Sequence, residues 1–306
     1  MLEIRLFGAT EVRTSGVRLG AGDLGGVKHR HILQLLTLHR GLSKNELAEL
    51  LWQGAPPREY VATLESYVSA LRRRLDPSSP ARRSVVGTRT GGYVLDESRI
   101  SADVWRFAEL RSTAAGAPAT HALALLEEAV RLAGDPLLAS EPLLIWAVDA
   151  REQYRTELID AAIRAGEHAL RLGDLRRADE LATRATDLDA LAEAAWRVRI
   201  SARHGIGDRT GALRCYHACR RALRDELGIE PAAATERLFL ELLRAEELPK
   251  DFGHVVAAVL AAARNLAAAE IPRDGNAARV LQLLDRAERL ARGAPGTNRT
   301  AVHAIA

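Results

Sequence analysis

Two segments of the chain open with Gly-Asp and lie 34 residues apart, "GDLRRADELATRA" from Gly173 and "GDRTGALRCYHAC" from Gly207. Ala178 aligns with Ala212 and Ala185 with Cys219, so small residues recur where two helices would cross. An earlier run, "GAPATHALALLEEAV" from Gly116, fits the same template with one extra residue before Ala122. A repeat of this length is one helix–turn–helix unit, whose apolar face only a neighbouring unit can cover. The second part of the chain is therefore expected to be a helical stack. From about Ile100 onward no strand alternation is visible, and "DPLLASEP" (Asp135–Pro142) reads as a loop interrupting the array.

Period and turn together are the tetratricopeptide signature. Composition agrees: Ala, Leu and Arg dominate and aromatics are only 4%, a mix that favours helix. Before residue 100 the character differs. "LEIRLFG" alternates Leu2, Ile4 and Leu6, and "EVRTSGVRL" reads as a hairpin turning at Ser15-Gly16. Three helical segments follow. "VKHRHILQLLTLHRG" places Ile32, Leu35, Leu36 and Leu38 on one side and ends at Gly41, a C′ candidate. "SKNELAELLWQG" opens with Ser43 and carries Glu46 three residues later, a capping box, with Leu47, Leu50 and Leu51 inward. The third is "VATLESYVSALRRRLDP" (Val61–Pro77), and after it "RSVVGTRTGGYVL" reads as a hairpin around Gly91-Gly92. Strands, three helices and a hairpin in this order make a winged helix.

The third helix has an unusual outer face. On a helical wheel Leu64, Val68, Leu71 and Leu75 fall within about 40° of their mean direction. The opposite side carries Ala62, Ser66, Ser69, Ala70 and Arg73 in place of long solvated side chains. Small residues let a backbone approach closely, and Ser can meet donors or acceptors on base edges in the DNA major groove. Arg73 suits a guanine, whereas Arg72 and Arg74 suit phosphates. A hairpin arginine at Arg89, between Thr88 and Thr90, stands where a wing would enter the minor groove. Charge is distributed accordingly. Residues 1–100 hold 15 Lys/Arg against 10 Asp/Glu (+5) within a chain of net +3, and residues 66–95 hold six arginines and one acid. A merely solvated basic helix is the competing reading of "RRR" alone.

The segments "VKHRHILQLLTLHRG", "ELAELLW", "PPREYVATLESYVSALRRRL" and "TRTGGYVL", in that order, resemble the OmpR-type winged helix of the Streptomyces antibiotic regulatory protein family. "DELGIEPAAATERLFLELL" (Asp225–Leu243) resembles the end of that family's bacterial transcriptional activator domain. The resemblance spans about residues 2–247. It implies a winged helix that binds direct repeats in double-stranded promoter DNA, and a tetratricopeptide-like domain behind it, the pair recruiting RNA polymerase at antibiotic or other secondary-metabolite genes. By position, Thr63, Ser66, Tyr67, Ser69, Arg72 and Arg73 match recognition-helix contacts, with Arg74 beside them. Thr88, Arg89 and Thr90 match the wing, and Lys28 and Arg30 the phosphate-contacting start of the first helix. Ala70 departs from the basic residue common there, which bears on the target sequence. Tyr67 stands at the edge of the apolar stripe, half core and half contact position.

The expected architecture is mainly α: a winged helix over residues 1–98, a helical repeat domain over 101–247, a helical extension over 250–293 and a disordered tail over 294–306. "CYHAC" puts Cys215 and Cys219 on one helical face and His217 elsewhere, which reads as core thiols, and no metal is expected. His29, His31 and His39 read as solvent-facing by default, with a phosphate contact the alternative for His29, which abuts Lys28 and Arg30. Trp52, Trp105, Trp146 and Trp196 read as core anchors. No G-x-x-x-x-G-K-[ST] run occurs, so no nucleotide domain or cofactor is expected. No nucleophile has a base and orienter beside it, so an enzyme is not expected. Two cysteines, no charged-then-apolar leader and no spanning apolar run point to a cytoplasmic protein without membrane contact. The leading reading is a transcriptional activator whose residues 104–247 contact polymerase or pack protomers side by side as a homodimer on DNA. The rival is a helical scaffold or ligand sensor whose winged helix contacts protein, a reading that leaves the basic surface without a purpose.

Overall fold

The structure, a computed structural model, describes residues 1–14, 16–20, 22–77 and 83–244. Both C-terminal expectations, 250–293 and 294–306, and Ser15 of the first hairpin lie outside them. A first sheet has strands β1 (Leu2–Arg5), β2 (Glu11–Thr14) and β3 (Val17–Leu19). Then come α1 (Val27–His39), β4 (Gly41–Ser43), α2 (Lys44–Trp52), α3 (Tyr60–Leu75), and the hairpin β5 (Val86–Arg89) and β6 (Gly92–Leu95). A short β7 (Ile100–Ala102) leads into seven helices: α4 (Asp103–Ala115), α5 (Ala119–Leu132), α6 (Val148–Arg171), α7 (Leu175–Leu188), α8 (Glu193–Ile206), α9 (Arg209–Leu227) and α10 (Ala233–Arg244). The protein is mainly α, a winged helix followed by a helical repeat.

Four strands form one sheet in the order β3-β2-β1-β7, and three form the wing sheet in the order β4-β6-β5. Leu2 and Ile4 are buried while Glu3 and Arg5 face outward, so the alternation in "LEIR" is that of a half-buried strand. Two expectations change here. The left-handed residue ending α1 is Arg40, at φ 64°, and Gly41 instead begins β4, where it pairs with Val94. A strand also lies beyond Ile100, because β7 runs parallel to β1 with Leu2 opposite Ile100 and Ile4 opposite Ala102. Ser43 and Glu46 form the expected capping box: the Ser43 hydroxyl accepts the Glu46 N–H at 3.1 Å, and Glu46 accepts the Ser43 N–H at 2.8 Å.

In the repeats, Gly173 and Gly207 follow α6 and α8 with φ of 79° and 90°, and Asp174 and Asp208 cap the helices that follow. Their carboxylates accept the N–H of Arg177 at 3.2 Å and of Gly211 at 2.8 Å. Ala122, Ala178, Ala185, Ala212 and Cys219 are all fully buried. Each helix from α4 to α9 packs chiefly on its chain neighbour, as the one-dimensional logic of repeats requires. Burial pushes the Cys219 thiol up to about 12 and raises Cys215 as well, so both are inert core thiols at neutral pH.

The winged helix and the repeats share one core, running from Leu2 to Ala202. At the seam, the Asp103 carboxylate at the start of α4 accepts the N–H groups of Leu6 and Phe7, both at 2.9 Å. Burial raises its pKa against the opposing pull of those amides and of its neighbour Val104. Trp105 donates its indole N–H to Thr37 O at 2.7 Å, with Arg40 stacked on its ring. Thus Trp105 spans the seam, and Trp52 and Trp146 are also only partly buried; of the four, Trp196 alone is enclosed.

Candidate nucleic-acid interface

Helix α3 buries Leu64, Val68, Leu71 and Leu75. Each such side chain taken out of water contributes about 1.5–3 kcal/mol, so this stripe fixes the rotation of the helix. Ser66, Ser69 and Arg73 are consequently exposed, and Ala70 is half-buried beside them. Thr88, Arg89 and Thr90 are exposed at the tip of the β5–β6 hairpin. Neither Arg73 nor Arg89 has a partner among the described residues. Two unneutralised guanidiniums on adjacent projecting elements form an anion-seeking surface.

The other expected contact residues serve the scaffold. Arg72 donates through Nε to Val86 O at 2.9 Å and through Nη2 to the Thr88 hydroxyl at 2.8 Å. It also lies over the Tyr93 ring, so it braces the wing against α3. Arg74 donates to Asp23 O at 2.7 Å and ties down the loop before α1. The Thr63 hydroxyl donates to Glu59 O at 3.0 Å within its own helix. Tyr67 is half-buried, its ring 4.9 Å from that of His29. Burial and the Arg74 charge hold the His29 pKa below 6.5, so that imidazole is neutral at pH 7 and a poor phosphate partner.

Lys28 and Arg30 are not at this surface. Lys28 donates to Leu51 O and lies over Trp52, holding α1 to α2. Arg30 pairs with Glu141 at 2.6 Å, with side chains only 14% and 12% exposed. His31, expected in solvent, is buried and also contacts Glu141, at 3.1 Å, while Gln34 donates to its other oxygen at 2.6 Å. Burial alone would raise the Glu141 pKa, but the hydrogen bonds from His31, Arg30 and Gln34 and the Arg30 charge hold it at about 2. The loop Asp135–Pro142 is therefore a strap across the winged helix. Its Leu138 and Ala139 N–H groups donate to Leu6 O and Gly8 O, both at 2.8 Å. Sequence reasoning missed Glu141, and also Arg151, whose guanidinium donates to carbonyls of Leu137, Glu141, Pro142 and Leu144. No local period marks either residue.

The wing is attached to the helix–turn–helix from both sides. Ser43, the cap of α2, pairs with Gly92 in the sheet, and Lys44 N–H donates to Gly91 O at 2.8 Å. Lys44 Nζ reaches Glu65 of α3 at 2.6 Å, a bond that raises its pKa. A helix presented on two other helices with a hairpin at its side is an arrangement that can enter a groove and straddle its edge.

Residues 25–95 match the family model "Transcriptional regulatory protein, C terminal", and residues 102–243 match "Bacterial transcriptional activator domain". Transcriptional regulatory protein MoaR1 of Mycobacterium tuberculosis is 25% identical over 261 residues, covering 82% of this chain and 81% of that protein. Regulatory protein DnrI of Streptomyces peucetius is 29% identical over 238 residues, covering 72% of this chain and 85% of that protein. The chain carries both of these domains in this order, and DnrI, AfsR and RedD, regulators of the Streptomyces antibiotic regulatory protein family, are among its relatives. In fold, the chain is like Mycobacterium tuberculosis EmbR, solved in complex with a low affinity phosphopeptide. The TM-score is 0.68 at 22% identity, over 95% of this chain and 69% of that one. Family members of this type are transcriptional regulators. Among the described residues, no helix is long and apolar enough to cross a membrane.

Proposed function

We propose that the protein is a sequence-specific DNA-binding transcriptional activator. Helix α3 enters the major groove with Ser66, Ser69 and Arg73, and the hairpin sets Arg89 into the neighbouring minor groove, with Thr88 and Thr90 beside it. The observation that carries this reading is the pair of exposed, unpartnered guanidiniums, Arg73 and Arg89, on two elements braced together by Arg72. A bidentate Arg73–guanine contact contributes roughly 1–3 kcal/mol of base discrimination. Tyr67 contributes its exposed edge, and Arg74 lies where its remaining donors reach phosphate. Direct repeats at promoters seat protomers side by side as a homodimer, and helices α4–α10 then face RNA polymerase. Secondary-metabolite genes are the proposed targets, since DnrI and RedD, the latter from Streptomyces coelicolor, are regulators from organisms of that genus.

The test is a gel shift on DNA fragments selected and sequenced from the protein's own retained pool. Arg73→Ala and Arg89→Ala should each abolish tight binding while leaving the thermal unfolding curve in place. Shifts unchanged by both substitutions reject the proposal.

A further inference from the structure

Beside the strap lies a cleft of about 690 Å³ with a predominantly carbon surface. Phe7 and Leu137, Tyr154 and Leu158 of α6, and Arg184 and Leu188 of α7 line it. That volume is the size of a pocket for a drug-sized ligand, and an apolar lining with a few polar groups is the usual form of such a site. Two polar groups in it lack partners. Arg184 donates from Nη2 to Gly134 O at 2.5 Å, and its Nη1 is accessible with no hydrogen-bond partner among the described residues. Tyr154 packs edge-on against Phe7, with centroids 5.6 Å apart, and its hydroxyl has no hydrogen-bond partner among the described residues. Burial pushes that phenol up to about 12, so it keeps its proton at neutral pH and can donate. Both groups seek an acceptor.

Charge narrows the class of occupant. Asp135, Asp149 and Glu152 balance Arg151, Arg155 and Arg184 around the cleft. Arg151 is already committed to strap carbonyls, and Arg155 donates to Leu188 O. A polyanion such as a nucleotide finds no net positive field here, whereas an apolar body with one acceptor-rich head meets a matching surface. We propose that the cleft is a binding site for a largely apolar small molecule that presents acceptor oxygens to Arg184 and Tyr154. Its occupant touches Leu137 and Pro142 of the strap, the segment that bonds Leu6, Gly8 and, through Glu141, α1. Binding there therefore rigidifies the strap. This site is independent of the DNA reading above and stands or falls without it.

The probe is 1-anilinonaphthalene-8-sulfonate, an apolar dye with an acceptor-rich head, titrated into the full chain and followed by fluorescence. One saturable site is expected. Val148 is an exposed side chain on the cleft wall, so Val148→Trp fills the space from outside the core and should weaken the dye about tenfold or more. Arg184→Met, which keeps the stem and removes the donors, should weaken it similarly. Leu143→Ser with Ile145→Ser, on the exposed apolar segment nearby, should leave affinity unchanged. Amide exchange at Leu138 and Ala139 should slow when dye is bound. Affinity unchanged in both cleft variants, or lost in the Leu143/Ile145 variant, overturns the site. Unchanged exchange at the strap overturns its link to the winged helix.

Discussion

Glu141→Gln is the sharpest perturbation of the seam between the winged helix and the repeats. The carboxylate accepts from Arg30, His31 and Gln34, three positions on one face of α1, and it is 12% exposed. Its pKa stands at about 2 against an ordinary 4.5. At 1.36 kcal/mol per unit, that difference corresponds to a stabilisation on the order of 3 kcal/mol at neutral pH. The sign follows from linkage. The folded state holds the lower pKa, so the contribution is complete above about pH 4.5 and is lost as pH falls toward about 2. The amide keeps the shape but removes the negative charge that Arg30, His31 and Gln34 donate to. Thermal unfolding at pH 7 should fall by roughly 6–12 °C, taking about 2–4 °C per kcal/mol for a chain of this size. The gap between wild type and variant should then close as the pH is lowered from 4.5 toward 2. Arg30→Met combined with Glu141→Leu should recover only part of the loss, because the apolar pair replaces both charges but leaves the buried His31 and Gln34 donors without the carboxylate. A variant that melts with wild type at pH 7 refutes the reasoning. So does a gap that stays constant into acid.

Two further outcomes separate roles that look alike in sequence. Arg72→Met should weaken DNA binding without changing its dependence on salt, since Arg72 bonds Val86 O and Thr88; Arg73→Met should cost roughly 1–3 kcal/mol and relax the preference at one base pair of the selected sites, read by binding to sites substituted one base pair at a time. Gly92→Ala places a Cβ 2.8 Å from Ser43 Cα, so β4 must shift; a loss of roughly 1–3 kcal/mol in denaturant unfolding is expected, with weaker DNA binding because the wing moves.

What the sequence disclosed was whatever a local period or turn carries. The α3 stripe repeats at helical spacing and the Gly-Asp turns recur at a fixed offset, so both elements and their buried faces are visible without tertiary knowledge. The three residues of β7 are too few to alternate; pairing with β1 and the Asp103 bonds make them a strand. Arg30 is expected at phosphate because its position matches the phosphate-contacting start of the first helix in the family that the sequence resembles. Its partner lies 111 positions away in a segment with no period, and nothing local signals that a carboxylate will cover it. The same blindness hides His31, which the strap and the edge-on Trp146 ring enclose.

The arginines of α3 show how one composition signal divides once packing is known. A run of three adjacent cations cannot point in one direction on a helix, because successive residues turn by about 100°. Arg72 turns toward the wing and finds a carbonyl and a hydroxyl; Arg74 turns toward the loop before α1 and finds Asp23 O; Arg73, between them, is left exposed. The two flanking residues set the orientation of the third relative to the hairpin. Rigid presentation lowers the entropy lost on binding, so the braces act on affinity through geometry and not through charge. The strap extends that logic across the seam. Glu141 holds α1 and Asp103 holds Leu6 and Phe7 just past β1, so the repeats are bonded to the winged helix through elements that share one core with α3.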